Sequence, residues 1–362
     1  MKTNDRQYRV PLMLLVMISL LLALWAGLLR MGWQWPVIRP LLPSLHGPLM
    51  VSGFLGTLIG LERAVAIGGR KYYLGPLLTG VGSLLLIVGL PMMWGQVLIL
   101  LGSVGLTAVS ILIIRQHKAL HTVTMGLGAL CWLVGNGFWL AGWSIFQFVY
   151  WWAGFLILII VGERLELSRI RRLTQQSYTL FGITVVLFLA GLLLSLFALE
   201  WGTRLASIGV IGMSLWLWRY DIARHTVKRT GVTRYIAVNL LLGYFWLAIG
   251  GAAGLGWGIL TAGPHYDLWL HAIFLGFAFG MIFAHALIIF PAILNITLPF
   301  RPIFYLPTIL LQFSLVLRVL GDLFNHTMRQ WGGLLNAISI LLFFVLVVVS
   351  IMPNFAKRKK DS

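Results

Sequence analysis

The stretch Trp269–Ile293 reads WLHAIFLGFAFGMIFAHALIIFPAI and runs for 25 residues without a charged side chain. A run of this length can cross the hydrocarbon core of a bilayer as one helix. The whole chain shares its character: 60% of the 362 residues are hydrophobic, 10% are charged, and the mean hydropathy is +0.94. A soluble domain cannot bury so much apolar surface, so the sequence predicts an all-α integral membrane protein.

Similar apolar stretches recur along the whole chain, and no soluble domain separates them. The first follows a basic start, but it has no small-residue cleavage site, and we predict a retained helix. Aromatic clusters near span ends, such as Tyr150–Trp152, are predicted to be interfacial anchors. We predict a single polytopic domain, residues 1–362, with about twelve transmembrane helices. Their approximate positions are 10–30, 45–68, 73–93, 95–114, 118–141, 144–166, 178–199, 201–219, 234–260, 267–295, 303–321 and 331–353.

The net charge of +18 follows the predicted topology. If the N-terminus is cytoplasmic, 22 of the 27 Lys and Arg residues fall in the tails and in the loops on the cytoplasmic side. This bias predicts that both termini are cytoplasmic, with the lipid bilayer as the partner of the protein. The basic composition is therefore no sign of a nucleic-acid partner. The five cations on the other side are Arg30, Arg39, Arg204, Arg318 and Arg329.

Predicted spans 2, 6 and 10 share a Gly-Phe pair followed by an ionisable residue nine positions after the Gly. The pairs are Gly53 and Glu62, Gly154 and Glu163, and Gly276 and His285. These are the second helices of three successive groups of four, which predicts three quasi-equivalent repeats at about 1–115, 116–220 and 221–362. Chance is the alternative, because the chain contains 40 Gly and 21 Phe.

Two histidines lie within the opening stretch, fourteen residues apart. At roughly 100° per residue, a regular helix brings His285 to within about 40° of the face of His271, ~21 Å away along the axis. Ionisable side chains at such depth are costly and usually face a protein interior with a functional role. This arrangement favours axial ligation of haem iron.

His46, at the start of predicted span 2, and His271, at the start of span 10, are predicted to lie on the same side of the membrane. Such a pair of imidazoles predicts a low-spin haem near the outer surface. The alternative is that His46 is an interfacial residue bonded to a carbonyl. Asp267 is a candidate hydrogen-bond partner for a ligating imidazole, and Arg39 is a candidate partner for a haem propionate.

A second candidate site lies deeper. His121 is a candidate partner of His285, and a set formed by His285, Glu62 and Glu163 could bind a metal. The alternative is that both glutamates form ion pairs. Their partners would then be the adjacent Arg63 and Arg164.

Two stretches, HGPLMVSGFLG from His46 and LHAIFLGFAFGMI from Leu270, resemble the NnrS family of bacterial haem- and copper-containing membrane proteins linked to nitric oxide stress and denitrification. The predicted architecture also resembles subunit I of the haem–copper oxidases, which hold a low-spin haem between their second and tenth helices. The resemblance implies a multi-pass protein of the bacterial cytoplasmic (inner) membrane with one or two haem b groups, and with copper as a further candidate. It implies electron transfer, or the sensing or handling of nitric oxide, with a redox partner or other membrane subunits.

The chain departs from the oxidases in that predicted spans 6 (Ser144–Glu166) and 7 (Tyr178–Leu199) contain no histidine. A terminal-oxidase copper site is therefore excluded, and whether the chain is an enzyme stays open. Two alternatives stay open as well: a twelve-helix secondary transporter and a non-catalytic subunit of a respiratory complex. The stretch Gly60–Leu74 superficially resembles the loop signature of the major facilitator transporters, but about four extra residues separate Arg63 from Arg70.

Overall fold

The computed structural model describes residues 6–294 and 296–358. It is 86% helical, with no strand among these residues. Eleven helices in the described part are long and apolar enough to cross a membrane, which is the architecture of an all-α multi-pass membrane protein. They are α1 (Gln7–Arg30), α2 (Leu42–Ile67), α3 (Arg70–Val88), α4 (Met92–Gln116), α5 (Leu120–Leu140), α6 (Ile145–Arg171), α7 (Gln175–Leu194), α9 (Gly231–Trp257), α10 (Gly263–Leu294), α11 (Pro302–Phe324) and α12 (His326–Ile351).

A twelfth helix, α8 (Leu199–Tyr220), has 22 residues and so is long enough to span a bilayer. It is less apolar than the others because it carries Glu200, Arg204 and Arg219. Each of the twelve predicted spans thus coincides with a helix. The predicted cytoplasmic ends fall partly on residues 1–5 and 359–362, outside the described residues.

The helices form two compact units, Met1–Ile159 and Ile160–Ser362, with the boundary inside α6. In the first unit, α2 packs on α1 and α3, and α4 packs between α3 and α5. In the second, α8 packs between α7 and α9, α10 packs on α9, and α11 pairs with α12. The unit boundary does not coincide with a boundary of the predicted four-helix repeats, and the threefold arrangement stays a prediction.

Two helices contain a π-helical segment, Leu49–Gly56 in α2 and Ala272–Phe279 in α10. The segments hold Gly53 and Gly276, two of the three aligned glycines, whereas the third lies in regular α-helix. π-helical segments are rare and frequently occur at functional sites. The segment in α10 lies between His271 and His285. The rotation of 100° per residue, which applies to a regular α-helix, therefore does not give the angle between these two side chains.

The predicted role of Tyr150–Trp152 as interfacial anchors is wrong. Tyr150, Trp151 and Trp152 are only 3%, 6% and 0% exposed. Trp152 packs edge-on against Phe148 and donates a hydrogen bond from Nε1 to Asn136 Oδ1 at 3.0 Å. These aromatic rings fill the protein interior.

Candidate functional site

His46 lies in the first unit, just ahead of the π-helical segment of α2. Its Nδ1 is 2.7 Å from the carbonyl oxygen of Ala23 on α1, so this nitrogen carries the proton and donates it. The ring packs directly over Gly27, where a Cβ atom would lie 2.8 Å from Nδ1. The carbonyl bond that was expected under the alternative to haem ligation is therefore present. It leaves the lone pair of the neutral ring on Nε2, and the glycine provides the room for this orientation.

His271 lies in the second unit, one residue before the π-helical segment of α10. Its Nδ1 is 2.8 Å from the main-chain carbonyl of Asp267 and 3.3 Å from Oδ1 of the same residue. The predicted contact between Asp267 and this imidazole is thus confirmed. The Asp267 carboxylate is held by Arg318, whose Nε and Nη2 donate hydrogen bonds of 2.7 and 2.8 Å.

A second charged pair adjoins this group and was not anticipated from the sequence. The Asp322 side chain is fully buried, and Arg329 Nε lies 3.8 Å from its Oδ1. Asp322 also interacts electrostatically with Asp267 and Arg318. Two acidic side chains and two guanidinium groups thus lie close together beside His271. The sequence does contain an indication of this group, because Arg318 and Asp322 are oppositely charged and lie four residues apart inside an apolar span.

His285 lies deeper in α10 and has its Nδ1 3.0 Å from the carbonyl of Met281, so its lone pair is also on Nε2. It interacts electrostatically with Glu163, Arg164 and Asp221. The structure therefore brings Glu163 and His285 to the same neighbourhood within the second unit.

Arg164 forms a buried salt bridge with Asp221, a residue that sequence analysis did not single out. Arg164 Nε and Nη2 donate to the two carboxylate oxygens of Asp221 at 2.8 and 2.9 Å. The expected pairing of this arginine with the adjacent Glu163 is replaced by this bidentate contact. Asp221 also accepts from Ser168 Oγ at 3.3 Å and from the backbone N–H of Ala223 at 2.6 Å.

The remaining candidates belong to the first unit. Glu62 and Arg63 are half-buried, and Arg63 Nη2 contacts Met125 Sδ at 3.5 Å. His121 is buried on α5. Within either unit, the described His, Cys, Asp and Glu residues form no group of three or more arranged to hold a metal. The His–Glu–Glu metal set stays a prediction.

Arg39, predicted to bind a haem propionate, has a different partner. Its Nη1 donates to the carbonyl of Ile87 at 3.1 Å, and its guanidinium covers Gly89, which has a φ of +82°. Arg39 thus satisfies a carbonyl at the C-terminus of α3, where a positive charge is favourable.

The family described as Domain of unknown function (DUF8744) matches residues 9–352. The chain belongs to the DUF8744 family. No curated protein sequence matches it. In this DUF8744 protein the matched region includes both π-helical segments, both histidines that precede them and the charged group around Asp267.

Proposed function

We propose that this DUF8744 protein binds haem b through the imidazoles of His46 and His271. The haem would serve in one-electron transfer or in the sensing or handling of a small diatomic such as nitric oxide. When bound, haem supplies an iron that can change its oxidation state and bind such molecules. The protein's own contribution is to orient the imidazoles and to set their basicity.

One observation carries this proposal. In both histidines, Nδ1 donates to a main-chain carbonyl, at 2.7 Å for His46 and 2.8 Å for His271. Histidines that bind metals characteristically donate their other ring N–H to a carbonyl or a carboxylate, which sets the tautomer and the ring orientation. The two imidazoles therefore fit the donor chemistry of axial ligands.

Two further features support the proposal. Each histidine lies within three residues of the start of a π-helical segment, Leu49 for His46 and Ala272 for His271, and this local geometry is frequent at functional sites. The Asp267 carboxylate lies 3.3 Å from Nδ1 of His271, and a carboxylate partner raises the basicity of a ligating imidazole. A ratio of one haem to one protein would fit ligation of a single haem by both residues, as the sequence predicts, and a ratio of two would fit one haem for each residue.

The second candidate function is secondary transport. It is favoured by the division of the chain into two compact units of about six helices each. Twelve-helix transporters are commonly built from two halves of this size. A transporter of this class would purify without a pigment, so one optical spectrum separates the two candidates.

The test is the optical spectrum of the full-length protein, purified in detergent after expression with ample haem. We expect a low-spin haem spectrum for the natural sequence. His46→Ala and His271→Ala should each convert it to high-spin or lose the pigment. A haem assay against protein concentration counts the groups, and elemental analysis of the same sample tests for copper.

His326→Ala is the matched control, because His326 is exposed at the start of α12 and should leave the spectrum unchanged. If both site variants keep the spectrum of the natural sequence, the ligand assignment is wrong. A colourless preparation would contradict haem binding altogether and favour the transporter.

A further inference from the structure

Eight exposed cations cluster on two connections of the second unit and on the helix ends that adjoin them, one connection between α6 and α7 and the other between α8 and α9. We call this set the basic loop surface. Arg171 joins the two connections, because its Nη1 donates to the carbonyl of Tyr220 at 3.5 Å. The members are Arg169, Arg171, Arg172, Arg219, Arg224, Lys228, Arg229 and Arg234.

Acidic residues do not neutralise this surface. The Asp221 carboxylate is 0% exposed and accepts hydrogen bonds from Arg164, Ser168 and the backbone N–H of Ala223. Within residues 166–180 and 216–234, all of which the structure describes, Glu166 is the one exposed acid. A positive field therefore reaches the solvent from eight cations against one carboxylate.

Cations of both connections affect the pKa of the same residue, His225. His225 is exposed in the α8–α9 connection. The positive charge of Arg171 lowers the pKa of His225, with smaller contributions from desolvation and from the charges of Arg224 and Lys228. Arg171 comes from the other connection, so the two sets of cations lie within electrostatic range of each other. His225 is thus a built-in probe of the field at this surface.

Apolar side chains border the cations. Ile170 is 75% exposed, Leu167 is 44% exposed and Trp218 is 43% exposed. A band of exposed apolar and aromatic side chains beside Arg and Lys is typical of the boundary between headgroups and acyl chains. A soluble acidic partner would require the charges but not this apolar border.

We propose that the basic loop surface binds the phosphates of anionic phospholipid headgroups. Clusters of four to eight Lys and Arg residues next to membrane-spanning helices are suited to this ligand. The buried Arg164–Asp221 salt bridge holds the α8–α9 connection against α6, so the cations are positioned before the lipid arrives. The proposal does not depend on haem.

The experiment uses the full-length protein in a neutral detergent, titrated with short-chain phosphatidylglycerol, phosphatidylcholine or inorganic phosphate. We expect phosphatidylglycerol to bind, and the other two to bind far more weakly. Bound phosphate charge should also raise the pKa of His225, measured by NMR of labelled imidazole. Replacing Arg224, Lys228 and Arg229 together by Gln should weaken phosphatidylglycerol binding on the order of a hundredfold.

The matched control replaces three exposed cations of the first unit, Arg70, Lys71 and Arg115, by Gln. It changes the net charge equally and should leave the affinity within about twofold, because none of the three residues belongs to the basic loop surface. Equal losses in both triple variants would show that net charge alone acts. Equal binding of inorganic phosphate, or stronger binding of a soluble poly-glutamate peptide, would also overturn the proposal.

Discussion

Single residues carry the chemistry of this protein through the orientation of their polar atoms. The imidazoles of His46, His271 and His285 each place Nδ1 against a main-chain carbonyl, which leaves the lone pair on Nε2. At His271, the carboxylate of Asp267 also contacts Nδ1. Arg318 holds this carboxylate in place by a hydrogen bond. Replacing Asp267 should therefore change the basicity of the His271 imidazole.

Replacing Asp267 by Asn tests this dependence. The amide has no charge to raise the basicity of His271, so the affinity for haem should fall by about 10- to 100-fold. The measurement is a haem titration of protein depleted of haem. Glu200→Gln, a change of equal charge at a half-exposed site, should have no effect on the affinity. Unchanged affinity in Asp267→Asn would mean that this carboxylate does not tune the ligand.

Breaking the buried salt bridge between Arg164 and Asp221 should lower the free energy of unfolding more than breaking a half-exposed ion pair. Their side chains are 4% and 0% exposed, so Asp221→Asn leaves a buried guanidinium without its counter-charge. We expect a loss of about 3–5 kcal/mol in the free energy of unfolding, measured in mixed micelles. Disrupting the half-exposed pair of Arg204 and Glu200 by Glu200→Gln should cost no more than about 1 kcal/mol. Equal losses would contradict this ranking.

His225 should titrate below the ordinary range of histidine because Arg171 disfavours its charged form. Above the ordinary pKa, the residue is neutral in both states and contributes nothing to the pH dependence of stability. As the pH falls through that value, the unfolded chain takes up the proton first, so the folded state loses stability. Arg171→Gln should raise the pKa of His225, and added salt should do the same. NMR titration of labelled imidazole measures both effects.

At the scale of elements, helix packing depends on which glycines meet a neighbouring backbone. On α7, a Cβ at Gly191 would collide with the backbone of Ala206 on α8, whereas a Cβ at Gly182 would meet nothing within 4 Å. The two glycines look alike in the sequence. Only the packing of α7 on α8 separates them.

The pair gives a matched prediction for two changes on one helix. Gly182→Ala should stabilise the protein by about 0.5–1 kcal/mol, because alanine restricts the unfolded chain and favours helix. Gly191→Ala should destabilise it by about 1–3 kcal/mol, because the helices are forced apart. Thermal unfolding in detergent compares the two variants. Destabilisation by Gly182→Ala would show that this face has a partner.

At the scale of the whole molecule, the distribution of Lys and Arg predicts the orientation of the chain. Cys131 is the single cysteine of the sequence and is buried, so Cys131→Ser provides a background without cysteine. In that background Thr174→Cys, between α6 and α7, should react with an impermeant maleimide only in inverted vesicles. Asn325→Cys, between α11 and α12, should react in intact cells. The reverse pattern would contradict the charge-based topology.

The positions of the helices could be predicted from the order of the amino acids alone, because a polypeptide crossing a bilayer must be apolar and must satisfy its backbone hydrogen bonds within the segment. All twelve predicted spans coincide with helices for this reason. His46 and His271 could also be singled out as candidates, because imidazoles are rare in apolar spans. Tyr150–Trp152 could not be placed, because an aromatic cluster at a span end fits an interface and an interior equally well.

The pairing of the polar groups, in contrast, depends on how helices that are distant in the chain pack together. Arg164 pairs with Asp221, 57 residues away, and Arg318 pairs with Asp267, 51 residues away. No local periodicity encodes contacts of such separation. The π-helical segment Ala272–Phe279 likewise changed the relative orientation of residues on α10, because its hydrogen-bond spacing departs from the regular helix that a sequence pattern assumes.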